Sequence, residues 1–271
     1  MMVLKRVITL FSITVLISLN SCVNQSFITH GYQPILMDSA RQTKIIVGAS
    51  PRLMKVGVAH SFEKNVVLST MNDFNRYYID TKAFGLYYKN YPRCIIETGI
   101  GLGYVGNNTR YTLRRNYISD DFVKLKINAS IISSDYVFTS MFKFPNGIDF
   151  IGLSIKTSYN YIVNYNYRVK VTTSDLLHSK GWPDPLNEES FRTSNMFFYT
   201  FEPQLIFRSA FANGGSINLG LTIGFIQKAI RHDYSYLQYT DNKIIDKTAY
   251  HPIHSNAFMN ISYTYAFGKR K

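Results

Sequence analysis

The chain has 271 residues, of which 46% are hydrophobic, 15% aromatic and only 17% charged, whereas a soluble domain usually has about 25% charged residues. So little charge, with 21 Tyr and 19 Phe against one Trp, is typical of a membrane β-barrel, although a secreted β-sandwich also favours Tyr and Phe. The formal charge of +13 does not indicate a nucleic-acid partner, because the basic residues are scattered and cluster only at Arg114–Arg115 and Lys269–Lys271.

The N-terminus has the features of a bacterial secretory signal. Lys5 and Arg6 precede an apolar run at 7–19, which is shorter than the roughly 20 residues that a membrane-spanning helix needs. The next residues, Leu19-Asn20-Ser21-Cys22, resemble a lipobox, and this resemblance implies that Cys22 is acylated. Acyl chains would anchor the protein, since each buried CH₂ adds about 0.8 kcal/mol. An ordinary signal peptide cleaved nearby, which would leave Cys22 free, is the alternative.

These features divide the chain into a signal peptide at 1–21, a lipid-anchored tether at 22–41 and one domain at 42–271. The tether is mostly polar and has no clear period. The second cysteine, Cys94, lies in an apolar strand pattern, where we expect it to pack. A Cys22–Cys94 disulfide is conceivable but is not the interpretation that we favour.

From about residue 43 onward, apolar and polar residues alternate, which is the period of a β-strand. Segment 122–132 separates Val123, Leu125, Ile127, Ala129 and Ile131 on one face from Lys124, Lys126, Asn128 and Ser130 on the other. Segments 151–161, 197–208, 216–225 and 257–267 repeat the pattern, with mostly small or polar residues on the second face. A polar face with so few charges is closer to a crowded barrel interior than to the wet face of a sandwich.

The alternation predicts eleven strands, at 43–50, 53–61, 66–77, 80–90, 93–105, 121–133, 135–144, 148–165, 197–209, 215–227 and 255–267. Bacterial barrels usually have an even number, and 121–144 could be one long strand, so we expect ten strands, with twelve as the alternative. Turn residues at 63–65, 90–92, 145–147 and 212–215 predict short turns at one end. Irregular stretches at 106–120, 168–195 and 228–254 predict long loops at the other end. The predicted fold is all-β, a single antiparallel up-and-down β-barrel.

A row of glycines interrupts one predicted strand. Gly99, Gly101 and Gly103 share a face of segment 93–106. Glycine weakens a strand, so the row needs a reason, and a narrow barrel supplies one because large inward side chains from neighbouring strands need space. The segment does not read as a phosphate loop, since no helix start follows it.

The chain resembles the small outer-membrane β-barrel lipoproteins of the Bacteroidota. The resemblance rests on the lipobox and on the order of five segments: PILMDSARQTKIIVGAS, FGLYY at 84–88, ETGIGLGY at 97–104, GLSIKTSY at 152–159 and FEPQL at 201–205. It spans nearly the whole chain after Cys22, with extra length around 128–150. It implies a lipid-anchored barrel in the bacterial outer membrane, and it supplies no catalytic residues.

Catalytic and metal-binding patterns are weak. The six histidines do not pair into a metal-ligand spacing, so we expect neither a metal nor a cofactor. His254 and Ser255 resemble the His and Ser of outer-membrane lipid A deacylases, but in a strand adjacent side chains point to opposite faces. The histidine could then reach the hydroxyl only through a bulge. We therefore expect a non-enzymatic protein.

Six charged residues at polar-face positions are the candidates for the barrel interior: Glu97, Lys124, Lys126, Lys156, Glu202 and Arg208. They could line a narrow pore or form a paired network that fills the lumen, and the small bore of a ten-stranded barrel favours the filled lumen. We expect a structural or surface-interaction role. A small pore or transporter and a periplasmic barrel lipoprotein that binds a hydrophobic ligand are the alternatives. The expected partner is membrane lipid, through the Cys22 acyl chains and the barrel exterior.

Overall fold

The computed structural model describes residues 31–37, 40–50, 53–63, 65–114, 122–172, 188–211, 214–227, 230–238, 243–251 and 256–267. The predicted signal peptide, Cys22 and the first part of the tether lie outside these residues. All regular secondary structure that is described is β-strand, as the alternation predicts. Within these ranges, no helix has the length and apolarity needed to cross a membrane.

The chain forms thirteen described strands: β1 Thr43–Ala49, β2 Met54–Ser61, β3 Val66–Phe74, β4 Tyr78–Asn90, β5 Cys94–Arg114, β6 Phe122–Lys143, β7 Asp149–Thr172, β8 Glu188–Thr193, β9 Met196–Ala210, β10 Gly215–Gln227, β11 Ile230–Gln238, β12 Lys243–His251 and β13 Asn256–Phe267. Ten of them, β1 to β7 with β9, β10 and β13, pair antiparallel in chain order. The pairing of Thr43 with Phe267 joins β1 to β13 and closes the barrel. The prediction of ten barrel strands is confirmed, and 121–144 contains the single strand β6.

Three strands outside the closed barrel were not predicted. β8 pairs with the outer part of β7, and β11 pairs with β12 in a separate hairpin. β5 and β7 also run on to Arg114 and Thr172, through stretches expected to be irregular. The expectation of loops over most of these stretches is therefore wrong. Backbone hydrogen bonds between neighbouring strands can continue past the barrel rim even where apolar and polar residues do not alternate clearly. The sequence pattern therefore did not reveal these strands.

The two ends of the barrel differ in their connections. The predicted short turns are confirmed at one end, the turn end, which also holds Thr43 and Phe267. In one of these turns, the Asn146 side-chain oxygen accepts hydrogen bonds from the backbone N–H groups of Ile148 and Asp149, and Gly147 has a φ of +67°. The opposite end, the loop end, holds two tight connections and the three longest ones.

The outer face of the barrel is mostly apolar, whereas its inner face carries the buried charged and polar side chains together with apolar residues that pack on the plug. In β2, Lys55 and Ser61 are buried whereas Val56 and Val58 are exposed, and in β9, Glu202 is buried next to the exposed Phe201. Ile261 is 44% exposed, so it does not lie in a dry centre between two sheets. This arrangement is the reverse of a sandwich core.

Two aromatic rows flank the exposed apolar residues. The turn-end row contains Phe62, Tyr91, Phe144, Phe211 and Phe267, and the loop-end row contains Tyr104, Tyr136, Tyr159, Phe197, Tyr199, Phe201 and Phe225. We call the outward surface between these rows the apolar band. On β9, the loop-end row contains Phe197, Tyr199 and Phe201. Its inner edge, Phe201, lies ten residues from Phe211, or roughly 33 Å along the strand, which at a tilt of about 40° is a height of roughly 25 Å for the apolar band.

The long strands reverse this polarity beyond the rim. We call residues 105–114, 122–131 and 162–172 the extension. Here Ile127, Ala129 and Ile131 are buried on the inner face, whereas Lys126 is exposed. The expectation that Lys126 faces the interior is therefore wrong. A β-bulge that leaves Val163 without a partner in β6 marks the change in β7. The reason is that the extension lies beyond the apolar band, where its inner face packs into an apolar cluster and its outer face carries polar residues.

The glycine row gives space to large inward side chains, as the sequence predicts. A Cβ on Gly101 would lie 2.4 Å from the Phe84 ring, and one on Gly99 would lie 2.6 Å from a Leu86 methyl group. A Cβ on Gly103 would meet both Lys82 and Ser133 at 2.7 Å. The glycines of strand β5 therefore leave space for the large inward-facing side chains of β4.

Candidate functional site in the barrel lumen

The lumen is occupied by a segment of the chain that precedes the first strand. Residues 31–37, which we call the plug, are all buried. Leu36 packs with Ile95, Met141, Phe150 and Ile206 near the turn end. The other end of the plug reaches up the barrel, where Gly31 approaches the Thr222 side chain of β10. The second half of the predicted tether is thus part of the barrel interior.

Glu97 of β5 binds the plug through three donors. Its carboxylate accepts hydrogen bonds from the Tyr32 hydroxyl at 2.7 Å, the Leu36 N–H at 2.9 Å and the Ile35 N–H at 3.2 Å. Burial raises the pKa of Tyr32 well above its ordinary value, and the nearby Glu97 charge raises it further, so the hydroxyl stays a donor. Three donors of the plug converge on this one carboxyl group, so Glu97 is the main polar anchor of the plug.

Glu202 of β9 binds the other end of the plug. One carboxylate oxygen accepts a hydrogen bond from the Gly31 N–H at 2.8 Å. The other lies 2.9 Å from the Lys156 ammonium group and 3.3 Å from the Thr200 hydroxyl. A single buried carboxylate therefore joins the plug to strands β7 and β9.

Two cations bind the carbonyl groups of the plug. The Lys44 ammonium donates to the Leu36 oxygen at 2.6 Å, and the Arg208 guanidinium donates to the same oxygen at 3.4 Å. Leu36 has a φ of +47°, a left-handed conformation that costs an L-residue about 1–2 kcal/mol. The charged donors around its carbonyl, together with the Glu97 bond to its N–H, offset that cost. These contacts fix the backbone of the plug.

A second charged cluster lies further towards the loop end. The Lys82 ammonium of β4 lies 2.6 Å from Asp135 of β6 and 3.7 Å from Asp80. Lys55 and Asp73 form another buried pair at 3.4 Å. Among the described residues, the buried charges are balanced: Lys44, Lys55, Lys82, Lys156 and Arg208 against Asp73, Asp80, Glu97, Asp135 and Glu202. Such pairs are costly to separate, because a lone buried charge loses both water and its partner.

An apolar cluster lies across the loop end of the lumen. It contains Leu53, Tyr78, Val105, Ile127, Ala129, Ile131, Ile162, Tyr165 and Phe198, from strands around the barrel and the connection before β2. The described interior is therefore occupied by three layers: the plug with its anchors and the apolar residues packed on it, the ion-pair cluster, and the apolar cluster at the loop end. A cleft beside Gln33 and Lys55 has a volume of only about 10 Å³, roughly the space of one water molecule.

The structure places the predicted interior residues unequally. Glu97, Lys156, Glu202 and Arg208 are buried in the lumen, and all but Lys156 contact the plug directly. Lys126 is exposed on the outer surface, and the Lys124 side chain is outside the described part.

Sequence reasoning missed several interior residues. Lys44, Lys55, Asp73, Asp80, Lys82 and Asp135 are all buried, and each is a charge within an alternating strand, which is the signal that could have found them. The plug had a weaker signal, the apolar run Ile35-Leu36-Met37 inside the predicted tether.

The other chemical candidates do not form a site in the described residues. His254 and Ser255 lie outside them. His60 shares a 2.8 Å hydrogen bond with the Thr43 hydroxyl, and Cys94 is a free thiol. In the described ranges, no three His, Cys, Asp or Glu side chains come together as metal ligands would.

Comparison with known proteins adds little to this geometry. No protein-family model matches the chain, and no curated protein matches it. Among solved structures, the chain is similar to in-vitro folded OmpT, an outer membrane protein of Vibrio cholerae, at 7% identity and a TM-score of 0.18, covering 83% of this chain and 95% of that one. Outer-membrane expressed OmpT of Vibrio cholerae gives 9% identity and a TM-score of 0.18, covering 84% and 95%. Likenesses at such TM-scores carry no argument about this chain.

Proposed function

We propose that the protein is a lipid-anchored β-barrel of the bacterial outer membrane, whose lumen is closed by its own plug and whose role is structural or surface interaction rather than catalysis. The observation that supports the membrane setting is the exposed apolar band between two aromatic rows. A band of roughly 25 Å with aromatic girdles at both edges is what a bilayer requires of a barrel exterior. A soluble protein rarely exposes so continuous an apolar surface.

Fractionation of the full chain tests this placement. The protein should remain in the membrane fraction after alkaline washing and should migrate faster in gels before heating than after it, because an unboiled barrel stays compact in detergent. Acyl labelling should be lost in the Cys22→Ala variant while the barrel still inserts. Recovery in the soluble extract without detergent would contradict the membrane placement, and label retained by Cys22→Ala would contradict the anchor.

The filled lumen favours a closed barrel over the alternative of a small pore. The plug is bonded at both ends by carboxylates, and the buried charges balance, so no single sign of charge is offered to a passing ion. In planar bilayers, we expect no current above background from the wild-type protein. Stable conductance steps from it would favour the pore.

Weakening the plug tests whether residues 31–37 are the element that closes the barrel. The Glu97→Gln and Tyr32→Phe double variant removes the charged anchor and one of its donors, so it should loosen the plug. We expect brief conductance events from this variant. A matched double variant at the outer surface, Thr98→Ser with Tyr136→Phe, should remain silent. Silence in both would contradict the role of residues 31–37 as the closing element.

The third possibility, a periplasmic barrel that holds a hydrophobic ligand, has less support. The described interior is lined by ion pairs and filled by the plug, whereas a ligand site of that kind would be an apolar cavity of several hundred Å³. Extraction of the purified protein with organic solvent should release only membrane lipid. A stoichiometric hydrophobic compound in that extract would favour this alternative.

A further inference from the structure

Beyond the loop-end aromatic row, the outward face of β5 and β6 changes composition in an ordered way. The register pairs Tyr104 with Ile132, then Asn108 with Asn128, then Arg110 with Lys126. Asn108, Asn128, Arg110 and Lys126 are all exposed. An apolar row is thus followed by an amide row and then by a basic row, each further from the apolar band.

The basic row continues into the next strand. The register of β6 with β7 sets Lys126 opposite Arg168 and Lys124 opposite Lys170. Glu188 of β8 is opposite Lys170, so one acidic position adjoins the row. Like charges directly opposite each other on paired strands are destabilising by themselves. Arg110 and Lys126 are exposed and directly opposite each other, and the register sets a third basic position beside them, so an anionic partner would relieve their repulsion.

A groove lies between these rows and the tight β3–β4 connection. It has a volume of about 310 Å³, and its lining includes Arg76, Tyr104, Gly106, Asn108 and Asn128. A Cβ on Gly106 would lie 3.1 Å from Ile79 and 3.3 Å from the Tyr104 ring, so the glycine leaves the floor open. The exposed Arg76 lies over the Tyr77 ring, 5.4 Å from its centroid, at one side of the groove.

We propose that this groove and the basic row bind the headgroup of a phosphorylated glycolipid in the leaflet at the loop end. The proposal rests on the membrane placement proposed above. Guanidinium and ammonium groups recognise phosphate, and the amide groups of Asn108 and Asn128 can bind sugar hydroxyls. Tyr104 lies at the level where aromatic rings meet the boundary between acyl chains and headgroups.

The height of the basic row favours a glycolipid over a simple phospholipid. Arg110 lies six residues beyond Tyr104, or roughly 20 Å along the strand and about 15 Å in height at the tilt of a barrel. The headgroup region of an ordinary bilayer is only about 5–8 Å deep on each side. A sugar-phosphate headgroup extends further, and long basic side chains can bend back towards it.

A binding titration of the full chain in uncharged detergent micelles tests the proposal. The probe is bis-phosphorylated lipid A, added as mixed micelles, and the variant is Arg110→Gln with Lys126→Gln. We expect its affinity to fall by about tenfold or more, since two charge-assisted contacts are lost. The control, Lys89→Gln with Arg93→Gln, removes the same two residue types from exposed positions at the turn end and should change affinity less than about twofold.

Three outcomes would overturn the inference: equal losses in the two double variants, equal affinity for dephosphorylated lipid A, or full displacement by millimolar inorganic phosphate. Equal losses would mean that the lipid is attracted by charge without a specific site. Equal affinity for dephosphorylated lipid A would mean that the site does not recognise phosphate. Displacement by inorganic phosphate would mean that the site binds free phosphate rather than the lipid. The titration needs no bilayer, so these results leave the membrane placement standing. Recovery of the protein in the soluble extract would instead remove the proposed function, whatever the titration shows.

Discussion

The apolar band and the extension are built from the same strands but differ in the polarity of their faces: the outer face is apolar only in the band, and, among the described residues, the inner face carries its buried charges only there. In β6, Asp135 faces inward within the band and Phe138 faces outward, whereas Ile127 faces inward in the extension and Lys126 faces outward. The strand continues without a break between these positions. Alternation of inward and outward residues is thus preserved, while the outer face changes from apolar to polar and the described inner face loses its charged residues.

This exchange indicates that the surroundings of the strand, not its local conformation, decide which face is apolar. Within the band, the plug and the ion pairs satisfy the polar groups of the inner face. The outer face is apolar there because, in the proposed membrane setting, it contacts acyl chains. In the extension, the exterior can be wet, and the inner face packs into the apolar cluster. The level at which the polarity changes, near Val163 in β7, therefore marks the proposed membrane boundary on the loop end.

The largest effect is expected from breaking the ion-pair cluster inside the band. Lys82→Ala would leave Asp135 without its 2.6 Å partner in a buried site and should lower the free energy of unfolding by about 3–5 kcal/mol. Urea unfolding in phosphatidylcholine vesicles measures this. Lys89→Ala, an exposed position on the same strand, should change it by less than about 0.5 kcal/mol. A loss for Lys82→Ala as small as that for Lys89→Ala would mean that water enters the lumen and screens the ion pair.

The next effect tests the outer faces of the two regions. Leu153, which is 60% exposed, pairs with Leu205 about midway between the two aromatic rows. Leu153→Arg should cost about 2–4 kcal/mol of unfolding free energy in vesicles, because an arginine at the bilayer midplane is poorly solvated. Asn128→Arg introduces the same residue on the outer face of the extension and should cost almost nothing. Equal tolerance of both would place the apolar band outside a bilayer.

The smallest effect tests the apolar residues of the two regions. Ile127 is fully buried in the extension, so Ile127→Ala should cost about 2 kcal/mol through lost packing. Ile100 is 69% exposed on the apolar band, and Ile100→Ala should cost less than about 1 kcal/mol in vesicles, because acyl chains fill the space. Unfolding in urea again gives both values. A larger loss at Ile100 than at Ile127 would contradict the assignment of inner and outer faces.

Much of the barrel could be predicted from residue alternation alone. Nine of the ten barrel strands and the four short turns follow from period two and turn residues, because each is a local property of the chain. Alternation divides 121–144 into two strands, and only the even strand number expected of a barrel indicates the single strand β6. The glycine row at 99–103 could also be interpreted, since only a close neighbour explains three missing side chains on one face. The site was only partly visible: Glu97, Lys156, Glu202 and Arg208 stood out as charges in apolar strands.

Tertiary structure alone decided three features. Alternation gives two faces but does not say which is inside, so Lys126 was misplaced where the surroundings change. The plug has no period of its own, and its burial depends on Glu97 and Glu202, which lie far away in sequence and satisfy its backbone groups. The basic row looks scattered along the chain, and only the register of three strands brings Arg110, Lys126 and Arg168 side by side. Local chemistry determined the strands, whereas long-range pairing determined what they enclose and what they present.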